Sequence, residues 1–322
     1  MRSLVILGGG TAGTMAANRL RAKLPRAEWQ ITVVDQDDIH DYQPGYLFIP
    51  FGMNAPEQIR RSTHTFLADG IDFVVAEVDI VEPADQRVRL VGGRELPYDY
   101  LIVASGTTPR PDQTPGMLGD HWHDTVGEFY TFDGAVALRE SLKRFTGGRL
   151  VMHITELPIK CPVAPLEFVM LADDYLRQRG IREATEIVYV TPLDGAFTKP
   201  VASRELGHHL EQRDIHVEPD FMIESVDAER KVIVSYDERE VPYDLLVTVP
   251  LNMGADFVGR SGLGDELNYV PVDKHTMQST AYETIFALGD ASNIPTSKAG
   301  SVAHFSVEIF VENFLQLAAG RP

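Results

Sequence analysis

The feature that most constrains the fold lies at the start of the chain, where an apolar strand runs directly into a glycine-rich turn. Residues 3–7 form the strand, and Gly8-Gly9-Gly10-Thr11-Ala12-Gly13 follows it. A helical pattern comes next, near 12–24, and a second apolar strand covers 31–35. Strand, Gly-x-Gly-x-x-Gly turn, helix and strand in this order predict the βαβ unit that opens a dinucleotide-binding fold.

The same turn predicts a phosphate site. Glycines let backbone N–H groups approach a pyrophosphate, and the N-terminus of the following helix adds partial positive charge. Such sites also need an acidic residue at the end of the second strand to hold a ribose hydroxyl, and Asp35 occupies that position. The alternative is a glycine-rich turn that binds no ligand.

The pattern of the first half returns in the second half. Another βαβ-like stretch begins at 149–154 and continues through a helix near 165–179 to a strand at 187–190. In each half a β-rich stretch then leads to Pro-Tyr-Asp and a buried strand, and the two Pro-Tyr-Asp signals lie 145 positions apart. Duplication of a nucleotide-binding domain explains this repeat, and chance similarity of two β-rich stretches is the alternative.

We therefore predict an α/β fold with two Rossmann-like dinucleotide-binding domains in three layers. Each has a mostly parallel sheet and a small antiparallel meander. The strand-to-helix pattern at 284–322 is expected to pack back on the first domain. The predicted boundaries are 1–110 with 250–322 for a discontinuous first domain and 111–249 for the second.

Charge and composition exclude several classes of protein. The chain has 29 Lys and Arg against 47 Asp and Glu, and its net charge of −18 repels phosphate backbones, so no nucleic acid partner is expected. No stretch of about 18 apolar residues predicts a membrane span, and no signal peptide is recognised. We expect a cytoplasmic homo-oligomer with peripheral contact to a membrane face. No metal site is expected, because the single cysteine and ten histidines lack zinc-site spacing.

Two further motifs distinguish FAD from NAD as the cofactor. The segment around Ala104-Ser105-Gly106 resembles the Ala-Thr-Gly segment of FAD-dependent pyridine nucleotide–disulfide reductases, with Ser105 in place of the usual threonine. The segment 284–290, which ends in Gly289-Asp290, resembles their second FAD motif, in which the aspartate holds the ribityl chain. The resemblance also implies that the helix beginning near Gly300 directs its N-terminus at the flavin. FAD is therefore the expected cofactor, and the first domain is the FAD-binding domain.

The second half lacks the corresponding glycine turn. After the strand at 149–154, residues 155–168 contain no glycine, and prolines cannot supply the left-handed turns that cradle a pyrophosphate. NAD(P)H is therefore not the expected reductant. Cys161 lies in this loop beside Lys160. It would be the helix N-cap if Pro162 were the first helical residue, and it would lie just outside the helix if Pro165 were. Either position favours the thiolate, and a buried inert cysteine is the alternative.

The cysteine loop carries a more specific resemblance. Residues 159–167 and 296–305, with Tyr42-Gln43-Pro44, are similar to sulfide:quinone oxidoreductase and to the flavoprotein subunit of flavocytochrome c sulfide dehydrogenase. The resemblance implies that sulfide adds sulfur to Cys161, that the flavin takes two electrons, and that a quinone or a haem protein removes them. Lys298 is a candidate to lie near the flavin or the acceptor, and simple solvent exposure is its alternative.

The chain departs from that family at two places. The family carries a second reactive cysteine in a C-terminal segment with quinone contacts, and this segment is not recognised here. Many family members also have a cysteine near the flavin in the region of 119–135, where this chain has none, so FAD linked through a thioether is not expected. The same region contains His121 and His123, which are either proton carriers for sulfide or turn residues. Two other functions stay open: a type II NADH:quinone dehydrogenase relative, and a flavoprotein subunit whose partner chain completes the site.

Overall fold

A computed structural model describes residues 1–321 of the chain. Within that range the strands are β1 Arg2–Leu7, β2 Trp29–Asp35, β3 His40–Asp41, β4 Arg60–Arg61, β5 Asp72–Val75, β6 Val78–Glu82, β7 Arg87–Leu90, β8 Glu95–Pro97, β9 Tyr100–Val103, β10 Thr108–Pro109, β11 Val126–Gly127, β12 Gly148–Ile154, β13 Thr185–Val190, β14 Ile215–Glu218, β15 Ile223–Asp227, β16 Val232–Ser235, β17 Glu240–Pro242, β18 Leu245–Val249, β19 Asn252–Met253 and β20 Ile285–Ala287. The α-helices are α1 Thr11–Lys23, α2 Phe132–Arg144, α3 Ala164–Gln178, α4 Pro200–Glu211, α5 Asp256–Arg260 and α6 Gly300–Ala318.

The chain divides into two compact units. The first comprises 1–41, 60–108 and the described residues from Met253 onward, and it is built on a five-stranded sheet in the order β20-β9-β1-β2-β5. All neighbouring strands in this sheet are parallel. Parallel sheets are covered on both faces, which is why β1 from Leu4 onward and β9 are continuous apolar runs. Leu4 and Ile6 face the core shared with α1 and α6, and Val5 and Leu7 face the opposite core.

The second unit comprises 42–59 and 109–252, and it repeats the plan. Its parallel sheet has the order β11-β18-β12-β13-β14, and an antiparallel meander β15-β16-β17 corresponds to the meander β6-β7-β8 of the first unit. The structure therefore confirms the predicted α/β class with two parallel sheets and two small meanders.

The segment 42–59 lies in the second unit, whereas the predicted boundary at residue 110 places it in the first domain. Its apolar side chains Tyr46, Leu47 and Ile49 join the core that contains Phe129 and Phe168. Burial of these side chains explains the difference. A single boundary in the sequence cannot describe a segment that packs in the second core while the residues before and after it pack in the first.

The repeated Pro-Tyr-Asp signal has the same structural task in both units. The Asp99 carboxylate accepts the backbone N–H of Ser3 at 2.6 Å, and the Asp244 carboxylate accepts that of Arg149 at 2.7 Å. Ser3 and Arg149 are each the second residue of the central strand of their five-stranded sheet. Each aspartate thus fixes the start of a central strand, which gives the sequence repeat a physical basis.

None of the helices within residues 1–321 combines the length and the apolar character needed to cross a membrane.

A buried histidine in the second unit predicts a specific pH dependence of stability. His153 on β12 has no exposed surface, and its Nδ1 lies 3.0 Å from the Thr248 hydroxyl. Burial lowers the pKa of His153 from 6.5 to about 3. Below pH 6.5 His153 is protonated in the unfolded chain, but in the folded chain it stays neutral until about pH 3. The free energy of unfolding therefore falls as the pH drops from 6.5 toward 3.

We expect this histidine to lower the free energy of unfolding by about 2 kcal/mol between pH 7.5 and pH 5. Urea unfolding of the wild type and of His153→Gln at pH 7.5 and pH 5 measures the effect. The glutamine does not titrate and can still bond to Thr248. On acidification, the free energy of unfolding should decrease by about 2 kcal/mol less in His153→Gln than in the wild type. An equal decrease in the two proteins would contradict the prediction.

Candidate functional site

The glycine turn between β1 and α1 is shaped by close backbone packing at two of its glycines. Gly8 has a φ of 111°, and a Cβ on it would lie 2.6 Å from the carbonyl carbon of Ala104. A Cβ on Gly13 would overlap the carbonyl oxygen of Gly8. These two positions therefore require glycine for the turn itself, whatever it binds.

Gly10 is different, because the space that its Cβ would occupy is open. It is the N-cap residue of α1, and no side chain caps the helix there. The first-turn N–H groups, including those of Thr11 and Ala12, have no acceptor within the helix. An open space in front of these N–H groups is the arrangement that receives an anion at a helix N-terminus.

Asp35 lies at the end of β2, as predicted, and its carboxylate is tied to the turn. Its Oδ2 accepts the backbone N–H of Gly9 at 2.5 Å, and its Oδ1 accepts that of Gln36 at 2.7 Å. Burial raises the pKa of Asp35, and these hydrogen bonds oppose the shift. A carboxylate oxygen has room for a further donor, so Asp35 can hold the turn and accept a ribose hydroxyl.

Two residues at this end of the turn were not found from the sequence. The His40 Nδ1 lies 3.0 Å from the carbonyl oxygen of Gly9. Thr63 is fully buried beside Gly9, and its hydroxyl has no hydrogen-bond partner within the described part of the chain. Neither lies in a recognisable motif, because both reach the turn only through the folding of the loops that follow β2.

The segment after β9 meets the turn from the other side. Ala104 donates its N–H to Leu7 and presents its carbonyl group to Gly8. The Ser105 hydroxyl is buried and lacks a partner among residues 1–321. Space is open where a Cβ on Gly106 would lie. A buried hydroxyl without a partner usually indicates a missing ligand or water, so these residues fit a bound dinucleotide cofactor.

The predicted second FAD motif lies against the same turn. A Cβ on Gly289 would come within 3.1 Å of the Ala12 side chain, so Gly289 and Asp290 reach the beginning of α1. The helix α6 begins at Gly300, where space is again open. The turn 8–13, Asp35, residues 104–106 and Gly289 thus occupy one edge of the first sheet. Their assignment as cofactor-binding residues remains a prediction.

Lys298 is buried, so the alternative of simple solvent exposure is wrong. Its Nζ donates to the carbonyl oxygens of Asp290 at 2.8 Å and Ser292 at 3.1 Å, and it lies 3.6 Å from the centroid of the Tyr269 ring. Burial lowers the pKa of Lys298 to about 8, and Asp290 and Asp265 oppose the shift. Near neutral pH the lysine is therefore mostly protonated, and it places a positive charge next to the second motif.

Cys161 belongs to the second unit and is exposed. The helix α3 begins at Ala164 with Val163 as its N-cap and Pro165 in its first turn. The N-cap position predicted for Cys161 from Pro162 is therefore wrong, and the cysteine lies just outside the helix. Its exposure also excludes the alternative of a buried, inert cysteine.

Other candidate residues have structural roles. The His121 Nε2 lies 3.0 Å from the carbonyl oxygens of Gly116 and Met117, and His123 stacks on Trp122 within the same turn. Both contacts favour turn residues over proton carriers. Among residues 1–321 no cluster of His, Cys, Asp and Glu has the arrangement of a metal site.

Comparison with known proteins agrees with this arrangement. The family model described as pyridine nucleotide-disulphide oxidoreductase matches residues 2–154. The mitochondrial sulfide:quinone oxidoreductase of Dictyostelium discoideum is 27% identical over 324 residues, which cover 99% of this chain and 72% of that protein. The mouse mitochondrial enzyme of the same name is 26% identical over 304 residues, which cover 92% and 67%.

A solved structure extends the comparison to the fold. The sulfide:quinone oxidoreductase from the hyperthermophilic bacterium Aquifex aeolicus matches with a TM-score of 0.88 and 18% identity, covering all of this chain and 78% of that one. Residues 2–154 therefore match the pyridine nucleotide-disulphide oxidoreductase family, which implies a flavin-type cofactor. Over nearly its whole length the chain is a homologue of the sulfide:quinone oxidoreductases.

Proposed function

We propose that this chain is an FAD-dependent enzyme that oxidises sulfide, carries the sulfur on Cys161 and passes the electrons through its flavin to a quinone. One observation carries the proposal: the two units share a plan but differ in one loop. The first unit has a glycine turn open to a pyrophosphate, and the second has an exposed cysteine between prolines at the corresponding place. Relatives named for this reaction support it.

The residues that would hold FAD are those of the first unit. Gly10, Thr11 and Ala12 would receive the pyrophosphate on N–H groups, and Asp35 would accept a ribose hydroxyl. The Ser105 hydroxyl would gain a partner, which it lacks among residues 1–321. Asp290 would hold the ribityl chain, and Lys298 with the N-terminus of α6 would favour added negative charge. When bound, the flavin supplies a two-electron acceptor.

The role of Cys161 follows from the chemistry of a single thiol. Hydrosulfide and the thiol can form one S–S bond, which yields a persulfide, a proton and two electrons. Two electrons are the capacity of one flavin. Because Cys161 is the only cysteine in the sequence, a disulfide within this chain cannot take part, and the persulfide is the sulfur species it can carry.

Anaerobic titration of the bound flavin with sulfide and, in parallel, with NADH tests this proposal. Sulfide should bleach the flavin absorbance, and a soluble quinone should restore it. NADH should act at least about 100-fold more slowly, the factor that about 3 kcal/mol of missing pyrophosphate binding gives. Rapid bleaching by NADH without a response to sulfide would overturn the proposal in favour of an NADH:quinone dehydrogenase.

The same preparation distinguishes an enzyme from a subunit. A flavoprotein subunit that needs a partner, such as a haem protein, should copurify with another chain and show little activity alone. We propose instead a homo-oligomer with peripheral membrane contact, in which sulfide turnover needs no second kind of chain. Size-exclusion chromatography of the active fraction, with and without detergent, measures this.

A further inference from the structure

The loop that carries Cys161 has an unusual backbone. Cys161 has a φ of 45°, in the left-handed region that side chains other than glycine disfavour. Its thiol is exposed, and its carbonyl oxygen accepts the N–H of Ala164 at 2.9 Å. An unfavourable conformation on an exposed loop persists only where the surrounding structure holds it.

Tyr130 contacts this loop at two consecutive residues. Its hydroxyl donates to the carbonyl oxygen of Cys161 at 3.2 Å. Its own backbone carbonyl oxygen accepts the Lys160 Nζ at 3.1 Å. The side chain is almost fully buried, and its ring lies 5.0 Å from that of Phe129. The phenol therefore has little freedom, and it reaches the cysteine loop from a fixed position.

Tyr130 is itself fixed by a buried carboxylate. Glu128 accepts the backbone N–H groups of Tyr130 and Thr131 and the hydroxyl of Thr131. Thr131 is the N-cap of α2 and accepts the N–H of Gly134 at 3.0 Å. A Cβ on Gly134 would overlap the Glu128 carboxylate, so a glycine leaves the room that this carboxylate needs. The backbone of Tyr130 is thus part of the capped start of a helix.

The other side of the loop has its own anchors. The backbone N–H of Lys160 donates to the Asn252 side chain at 3.1 Å, and Asn252 is fully buried. The Lys160 Nζ also donates to the Gln43 side chain at 3.1 Å. These contacts hold the residue before the cysteine, and the Tyr130 hydroxyl holds Cys161 itself.

We infer that Tyr130 is a positioning residue for Cys161, holding the cysteine backbone so that the thiol is presented in one orientation. This rests on the proposed function of Cys161 as the sulfur carrier. Burial raises the pKa of Tyr130 well above 10, so the hydroxyl remains protonated and remains a donor throughout the working range. The hydroxyl acts on Cys161 through the backbone carbonyl oxygen to which it donates.

Tyr130→Phe tests the inference, because it removes the hydroxyl and keeps the ring. Tyr189→Phe is the matched control: Tyr189 is equally buried in the same core, and its hydroxyl faces the carbonyl of Ala196, not the cysteine loop. The first measurement is anaerobic flavin reduction by sulfide in the holoprotein. The second is the rate at which iodoacetamide alkylates Cys161, which needs no sulfide and no turnover.

We expect Tyr130→Phe to lower the limiting rate of flavin reduction at least about tenfold, because the reacting sulfur is misplaced. The sulfide concentration that gives half of the limiting rate should stay unchanged, because the sulfur is still accessible. The alkylation rate should change at least about threefold, and Tyr189→Phe should leave both readouts within about twofold. If Tyr130→Phe behaves like Tyr189→Phe, or if both variants change alike, the inference is overturned.

Two arms keep the result interpretable. If Tyr130→Phe fails to fold, Lys160→Met removes the second contact between Tyr130 and this loop. The rates of flavin reduction and of alkylation are then measured in 1 M salt, where a Debye length of about 3 Å screens the lost charge, and the changes expected of Tyr130→Phe should appear again. Unchanged rates would overturn the inference. If Cys161→Ala reduces its flavin with sulfide at the wild-type rate, the proposed function fails, and the alkylation rates alone still decide whether Tyr130 positions the thiol.

Discussion

Replacing Gly10 by aspartate is expected to abolish retention of the flavin cofactor while leaving the first unit folded. Gly10 is the N-cap of α1, and open space surrounds the position of its Cβ. Its backbone has a φ of −73°, which any residue can adopt. Aspartate is a preferred N-cap and interacts favourably with the helix dipole, so the helix should be stabilised by a few tenths of a kcal/mol at most.

The cofactor should respond in the opposite way. An aspartate carboxylate at position 10 would lie where the N–H groups of α1 receive a pyrophosphate. Two like charges about 4 Å apart repel each other by about 4 kcal/mol near a protein surface, which weakens binding roughly 1,000-fold. Flavin content per chain after gel filtration, with the free energy of urea unfolding of the stripped protein, measures both effects.

Gly10→Asn is the control that separates charge from size. Asparagine has nearly the same shape and caps the helix equally well, but it carries no charge. We expect it to weaken flavin binding less than aspartate does, since steric displacement remains and repulsion is removed. Equal loss in both variants would assign the effect to space alone. Full flavin content in Gly10→Asp would show that the pyrophosphate lies elsewhere.

The features predicted correctly from the sequence are those with local causes. The glycine turn follows from packing between Gly8, Gly13 and the neighbouring strand, all within one motif and its partner segment. The Pro-Tyr-Asp repeat was visible because each aspartate binds the start of a strand in its own unit. Alternating strands and helices then determine a parallel sheet, since parallel neighbours need crossover connections.

What the sequence did not predict depends on contacts between distant segments. Tyr130 bonds to Cys161 across 31 positions, and no spacing rule links a phenol to a backbone carbonyl. The burial of Lys298 follows from Tyr269 covering its ammonium group, which the motif around 296–305 does not show. The start of α3 was ambiguous because two prolines suit a first helical turn equally well. The Glu167 N–H donates to the Val163 carbonyl oxygen at 3.0 Å, and this bond makes Val163 the N-cap.

The largest expected effect is that of Cys161→Ala on the reduction of the flavin by sulfide. Removing the atom that forms the S–S bond leaves no route to the persulfide, so the rate should fall at least about 1,000-fold. Alanine keeps the Cβ and therefore the same cost at a φ of 45°, so the loop should retain its conformation. Stopped-flow absorbance under anaerobic conditions measures the rate.

Two controls show whether the loss belongs to the thiol. Flavin content and the rate of flavin reduction by dithionite should be unchanged in Cys161→Ala, because neither depends on the second unit's loop. Iodoacetamide should reproduce the loss in the wild-type protein, since the chain has one cysteine and alkylation blocks that thiol alone.

The outcome also decides how the sulfur is handled. If Cys161→Ala reduces its flavin with sulfide at the wild-type rate, hydrosulfide transfers its electrons without a protein sulfur, and Cys161 has no role in that step. If the rate falls as expected, one thiol is sufficient in this chain. The product must then leave the persulfide by transfer of its outer sulfur to a second nucleophile, such as another hydrosulfide, and the reaction should release a polysulfide that cyanolysis can measure.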